Sequence, residues 1–167
     1  MDLTSQSPQH LLQMTALAAM ELKRRAIIRT GNAPLGDVAE YLFCQCFGWE
    51  IAGNSQSGFD ALSADTRYQI KARRISAGNK SRQLSAIRNL EAKKFDYLAV
   101  ILFGEDYDIL RAAIIPHALV KAHSRHTAHT NSARFLFTDT MASLDGVTDV
   151  TAKISDFWAH INFVPAP

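Results

Sequence analysis

Asp60, Gln69 and Lys71 place a carboxylate, an amide oxygen and an ammonium within one short stretch, in Gly58-Phe59-Asp60 and Tyr68-Gln69-Ile70-Lys71. Hydrolysis of a phosphodiester needs a divalent cation to activate water and to offset charge on the scissile phosphate. Hard cations such as Mg²⁺ take oxygen ligands. Carboxylate and amide oxygens beside a cationic side chain are therefore a minimal set for that chemistry. Arg67-Tyr68-Gln69-Ile70-Lys71-Ala72-Arg73 alternates polar and apolar residues with period two, as a strand does. Gln69 and Lys71 then point to the same side. That side is either solvent or an active site facing phosphates.

Positioning these groups requires rigid neighbours. Phe59–Leu62 and Arg67–Arg74 read as hairpin strands joined by Ser63-Ala64-Asp65-Thr66. Upstream, Pro34 opens a helix that runs to about Phe47, where Gly48 stops it, and Trp49–Gly53 is a short strand. Leu35, Val38, Ala39, Leu42, Phe43 and Cys46 form the buried stripe of that helix at spacings of three and four. Glu40 lies at its border, from which it can reach along a sheet edge, whereas Asp37 lies near the opposite face. Glu40 is therefore the candidate second carboxylate.

Ser7-Pro8 starts another amphipathic helix, extending to about Arg29. After the hairpin come a basic loop (Ser76–Ser81), a helix from about Arg82 to Lys93, a continuous apolar strand from Asp96 to Phe103, and a strand from Tyr107 to Ile115 ended by Pro116. A short helix near His117–Ala122, a polar loop over Ser124–Ser132, a strand over Arg134–Thr138 and a helix over Thr151–Ile161 complete the chain. Ile154, Phe157, Trp158 and Ile161 face inward on that last helix. The expectation is one α/β domain spanning residues 1–167, with helices flanking a central mixed sheet.

The net charge of +2 conceals an uneven distribution. Arg67 to Lys94 holds nine Lys/Arg against one acid, while the rest holds nine against fifteen. Local basicity of this kind suits a polyanion. Arg73, Arg74, Lys80 and Arg82 flank the candidate centre as possible phosphate contacts, which position a nucleic acid without reading its sequence. A solvated basic loop and helix is the alternative.

The combination of Gly36-Asp37-Val38-Ala39-Glu40 on a leading helix, Gly58-Phe59-Asp60, and Gln69-Ile70-Lys71 resembles the PD-(D/E)xK, or restriction-endonuclease-like, nuclease superfamily. The order helix, strand, hairpin, helix, strand resembles its core, over about residues 34–103. The residues before and after, an N-terminal helix and a mixed extension over 104–167, fall outside the resemblance. Two positions depart from the pattern: Phe59 stands where the motif has proline, and Gln69 stands at the second acidic position. The resemblance implies a metal-dependent endonuclease acting on nucleic acid, most plausibly double-stranded DNA, in restriction, defence or repair. It implies that Asp60, Glu40 and the Gln69 oxygen hold Mg²⁺ or Mn²⁺, and that Lys71 stabilises charge beside the attacking water. A homodimer or a separate specificity subunit would fit such an enzyme. The rival readings are the same fold as a nucleic-acid-binding module with weakened metal affinity, and a protein-interaction domain.

Other features carry less. His123, His126 and His129 are spaced H-x-x-H-x-x-H, but the polar residues around them read as a loop and no cysteine or acid completes a zinc shell. Cys44 and Cys46 point apart on the second helix and read as reduced thiols, with Cys46 in the core. Tyr68 reads as core, and Asp106 and Asp108 as turn residues. Leu11–Leu22 is too short to span a bilayer and lacks the flanks of a secretory signal, so a cytoplasmic location is expected.

Overall fold

The computed structural model describes residues 3–30, 34–53, 58–127 and 131–161. Its framework is a mixed six-stranded sheet, in the order β1 (Glu50–Ile51), β2 (Ala61–Ser63), β3 (Thr66–Arg74), β5 (Tyr97–Phe103), β6 (Ile109–Pro116), β9 (Thr148–Asp149). Only the β3–β5 pair is parallel. The protein is thus a mixed α/β fold, as its pattern of elements predicts.

The alternation in β3 and β5 divides the core in two. Ile70, Ala99, Ile101 and Phe103 face the helices α2 (Leu35–Phe47) and α5 (Thr151–Ala159), where Leu42, Phe43 and Ile154 are fully buried. Leu98, Val100 and Leu102 face the other way, onto a second layer. That layer is a three-stranded sheet, β4 (Ile87–Arg88), β8 (Ser132–Arg134) and β7 (Arg125–Thr127), with α3 (His117–His123) and α4 (Asp139–Ala142) beside it. Both faces of β5 are covered, which accounts for its unbroken apolar run.

The second layer departs from expectation. No helix covers Arg82–Lys93; β4 and a 3₁₀ turn over Leu90–Ala92 stand there. Leu84, Ile87 and Leu90 are all buried, and their spacing of three imitates a helix stripe. Asn89 breaks it in the left-handed region (φ 52°), held by Asn131 through one backbone and one side-chain hydrogen bond. The polar stretch expected as a loop over Ser124–Ser132 contains β7 and the start of β8. Arg125 and His126 are exposed while Ser132 and Ala133 are buried in succession, so there is no apolar alternation to read.

Helix α1 (Pro8–Arg24) starts where Ser7-Pro8 indicates, with the Ser7 hydroxyl accepting from the His10 N–H. It ends five residues early, because Ala26 turns left-handed and Ile28 returns to the core. No residue of α1 is buried. In α2, Gly48 adopts φ 67° at the C-cap as the helix signal requires. Cys44, not Cys46, is the buried thiol. Ile154 is buried on α5, with Phe157 and Trp158 packed partly against the core. Among the described residues no helix is long and apolar enough to cross a membrane.

Candidate active site

The site forms where two strands part. β2 and β3 are paired only from Ala61 opposite Tyr68 to the turn, and the Asp60 N–H extends the ladder by one bond to the Tyr68 carbonyl (2.8 Å). Beyond Tyr68 the β2 side of β3 has no strand partner among the described residues, while its other side stays bound to β5 as far as Arg74. An unpaired, half-buried amide is costly. At Ile70 the Asp60 side chain meets that cost: the Ile70 N–H donates to Asp60 Oδ2 at 2.7 Å. This bond fixes the carboxylate beside the backbone between Gln69 and Lys71, with Oδ1 available for another partner.

Gly58 shapes the approach to Asp60. It sits at φ 107°, and a Cβ there would lie 2.6 Å from Lys94 Cβ and Cδ. Only glycine suits both the conformation and the close passage.

Gln69 and Lys71 lie in register with Leu98 and Val100, on the face of the sheet away from α2. Gln69 Oε1 is buried and has no hydrogen-bond partner, an unusual state for a buried acceptor. Glu40 projects from α2, on the other face. In a continuous sheet the two faces would be kept apart. Here Glu40 and the Gln69–Lys71 pair lie on opposite faces, beside an edge of β3 that no described strand covers. The charges of Asp60 and Lys71 both act on Glu40, the first raising and the second lowering its pKa. Of the four side chains expected to cooperate, Asp60 is tied to β3 beside Gln69 and Lys71, while Glu40 lies across the sheet and is linked to Asp60 and Lys71 through its electrostatics.

Glu40 is strongly perturbed. Burial is the main cause, and it lifts the carboxyl to about 7 against the pull of the Arg29 guanidinium. Arg29 Nη2 is paired with Glu40 Oε2. Asp37, one turn earlier, is not a site ligand. Its Oδ2 accepts from the N–H groups of Arg29 (2.8 Å) and Thr30 (2.7 Å) and from the Thr30 hydroxyl (3.0 Å). Burial would raise the Asp37 pKa, but these bonds outweigh it and hold it low. Cys44, one turn after Glu40, has its thiol pushed up to about 11 by burial first and by the Glu40 charge second, which leaves it an inert thiol.

A row of stacked rings holds α2 against β3. Trp49 lies between Phe43 (5.4 Å) and Tyr68 (3.7 Å), and Tyr68 continues to Tyr97 (5.7 Å). Tyr68 is therefore structural, as its alternation indicates.

The basic residues scatter. Arg73 shares the Lys71 face, and its Nε donates to the Ser81 carbonyl (3.1 Å). Arg74 points the other way, over the Tyr107 ring at 5.2 Å. Arg82 is paired with Asp139 (2.8 Å), which also binds Arg111 (3.2 Å). Lys80 is exposed beside Glu105 and Asp108. At the far end of β3, Arg67 is bound to Asp96 (3.0 Å). His123 and His126 are exposed, on α3 and β7, and His129 lies outside the described residues. Among the described residues no three His, Cys, Asp or Glu side chains converge as a metal site.

Arg29 escaped the sequence reading. It lies between two helices in a segment without periodicity, and no local signal marks it as a partner of Glu40. The chain matches no known family model and no curated protein.

Proposed function

We propose that this protein is a metal-dependent nuclease of the restriction-endonuclease-like type, hydrolysing phosphodiester bonds in nucleic acid, most plausibly double-stranded DNA. The observation that carries this reading is the fork between β2 and β3. There Asp60 is fixed on the Ile70 amide, the charges of Asp60 and Lys71 act on the buried Glu40 of α2, and Gln69 Oε1, on the Lys71 face, has no hydrogen-bond partner. The donors fit a hard divalent cation: two carboxylates and a buried acceptor without a hydrogen. Asp60 Oδ1, a Glu40 oxygen and Gln69 Oε1 would hold Mg²⁺ or Mn²⁺. Such an ion, when bound, lowers the pKa of a water and offsets charge on a phosphate.

The chain's own groups supply the rest. The Ile70 N–H orients the Asp60 carboxylate. The Lys71 ammonium, two residues along the same strand face from Gln69, stabilises negative charge developing at the attacking oxygen and the phosphate. Arg73, on the same face, is placed to contact a neighbouring phosphate. Arg82 is less suited, being neutralised by Asp139, and Arg74 contacts nucleic acid only from the other side of the sheet.

Incubating supercoiled plasmid with the protein and Mg²⁺ or Mn²⁺ tests the reading. Nicking is expected from the wild type, and its loss from Asp60→Asn and Lys71→Ala. Salt-sensitive DNA binding without nicking would instead identify a binding module built on the same site, consistent with an amide at position 69.

A further inference from the structure

We propose that Arg29 is a displaceable counter-ion: a divalent cation arriving at Glu40 frees its guanidinium, which then binds a phosphate of the substrate. This rests on the nuclease reading of the fork and adds to it a substrate contact that the metal switches on.

The anchoring of Arg29 carries the inference. Its backbone is held on both sides, by the buried Ile28 (3 % exposed) and by the Asp37 carboxylate, which accepts from the N–H of Arg29 and of Thr30. Its side chain is 40 % exposed, and the one contact shown for the guanidinium is Glu40 Oε2. The base of the side chain is anchored, and its partly exposed tip is held by Glu40. Asp37 and Glu40 lie three apart on α2 and both meet Arg29, so Asp37 is not turned to the far face that its periodicity suggests; neighbouring positions carry the clamp on the backbone and the acceptor for the tip.

Glu40 Oε2 cannot serve Arg29 and a cation at full strength. Two positive charges on one oxygen repel, and a divalent ion is the stronger partner for a carboxylate. When the ion takes that oxygen, the guanidinium is left beside a cation that attracts phosphate. Arginine matches a phosphate in charge and in planar donor geometry. In the metal-free protein the Arg29 guanidinium offsets the Glu40 charge against the repulsion of Asp60 and Asp37.

The test uses Arg29→Gln, Arg29→Lys and Glu40→Gln beside the wild type, at pH 8. Mn²⁺ affinity is read by electron paramagnetic resonance without DNA. DNA affinity is read by fluorescence anisotropy against salt, with and without Ca²⁺. Removing the competitor should make Arg29→Gln bind Mn²⁺ about two- to fivefold more tightly, the worth of a half-exposed ion pair. With Ca²⁺ present, the same variant should lose about one phosphate contact from the salt slope. Without Ca²⁺ its slope should match the wild type, and Arg29→Lys should restore part of the Ca²⁺-dependent contact. Unchanged or weaker Mn²⁺ binding in Arg29→Gln overturns the exchange, as does a slope lowered equally with and without Ca²⁺. Mn²⁺ binding that ignores Glu40→Gln in every protein overturns it too. Plasmid nicking reports separately: a protein that shows the exchange but never nicks contradicts the nuclease reading and leaves the Arg29 switch standing.

Discussion

Asp60 has two tasks, and substitutions should separate them. Its Oδ2 satisfies the Ile70 amide, which leaves Oδ1 for the proposed cation. Asp60→Asn keeps an acceptor for Ile70, so it should fold with near-native stability while losing cation binding. Asp60→Ala should in addition cost about 1–3 kcal/mol, because it strands a half-buried N–H; urea midpoints of the two variants check this. Glu40 sets the pH response. Its folded pKa, about 7, lies above its unfolded value, chiefly through burial. The native state therefore keeps a proton that the unfolded chain releases, and stability falls as pH rises from the ordinary carboxylate range through 7. Denaturant unfolding of the metal-free protein should show a loss on the order of 2–3 kcal/mol between pH 5 and pH 8. Glu40→Gln should flatten that slope. Cation affinity should move the opposite way, rising across the same window, because binding requires the ionised carboxylate.

At the scale of elements, the site depends on how β2 leaves β3 and how α2 lies over the gap. Gly58 permits the departure. Gly58→Ala puts a methyl into the Lys94 stem at a φ that L-residues avoid, and it should cost about 1–3 kcal/mol. The expected signature is a loss of cation affinity out of proportion to the loss of stability, read by calorimetric titration beside thermal unfolding. Trp49 has the converse role. It joins α2 to β3 through rings 5.4 and 3.7 Å away, and its truncation to alanine should cost about 3–5 kcal/mol.

For the whole molecule, charge is spread more thinly than the basic segment suggests. Arg67 and Arg82 are spent on Asp96 and Asp139, and Arg74 lies on the far face of the sheet. DNA binding should still weaken with salt, with a slope near −0.9 per phosphate contacted. Arg73→Ala should reduce that slope by about one, and Arg74→Ala should leave it nearly unchanged. Both are read by anisotropy titrations at several salt concentrations. Helix α1 lies outside this machinery, with Leu12, Leu17 and Met20 each more than 60 % exposed. Leu22 packs partly buried against the core, and no residue of the helix is fully buried.

Period-two alternation by itself placed Gln69 and Lys71 on one face of β3, and helical periodicity chose Glu40 over Asp37; both readings depend on repeats that local geometry imposes on any chain. The pairing partners, by contrast, were decided by tertiary structure. Leu84, Ile87 and Leu90 show a helical spacing, yet they line a strand and turn because β8, more than forty residues later, supplies a ladder. Arg29 meets Glu40 through a turn of backbone that no repeat encodes. Above all, Glu40 lies on the opposite side of the sheet from Lys71, and only the packing of α2 over the edge where β2 parts from β3 brings it within range of the Asp60 and Lys71 charges. Periodicity reports which way a side chain points from its own element, whereas the gap in a sheet depends on where two strands stop bonding.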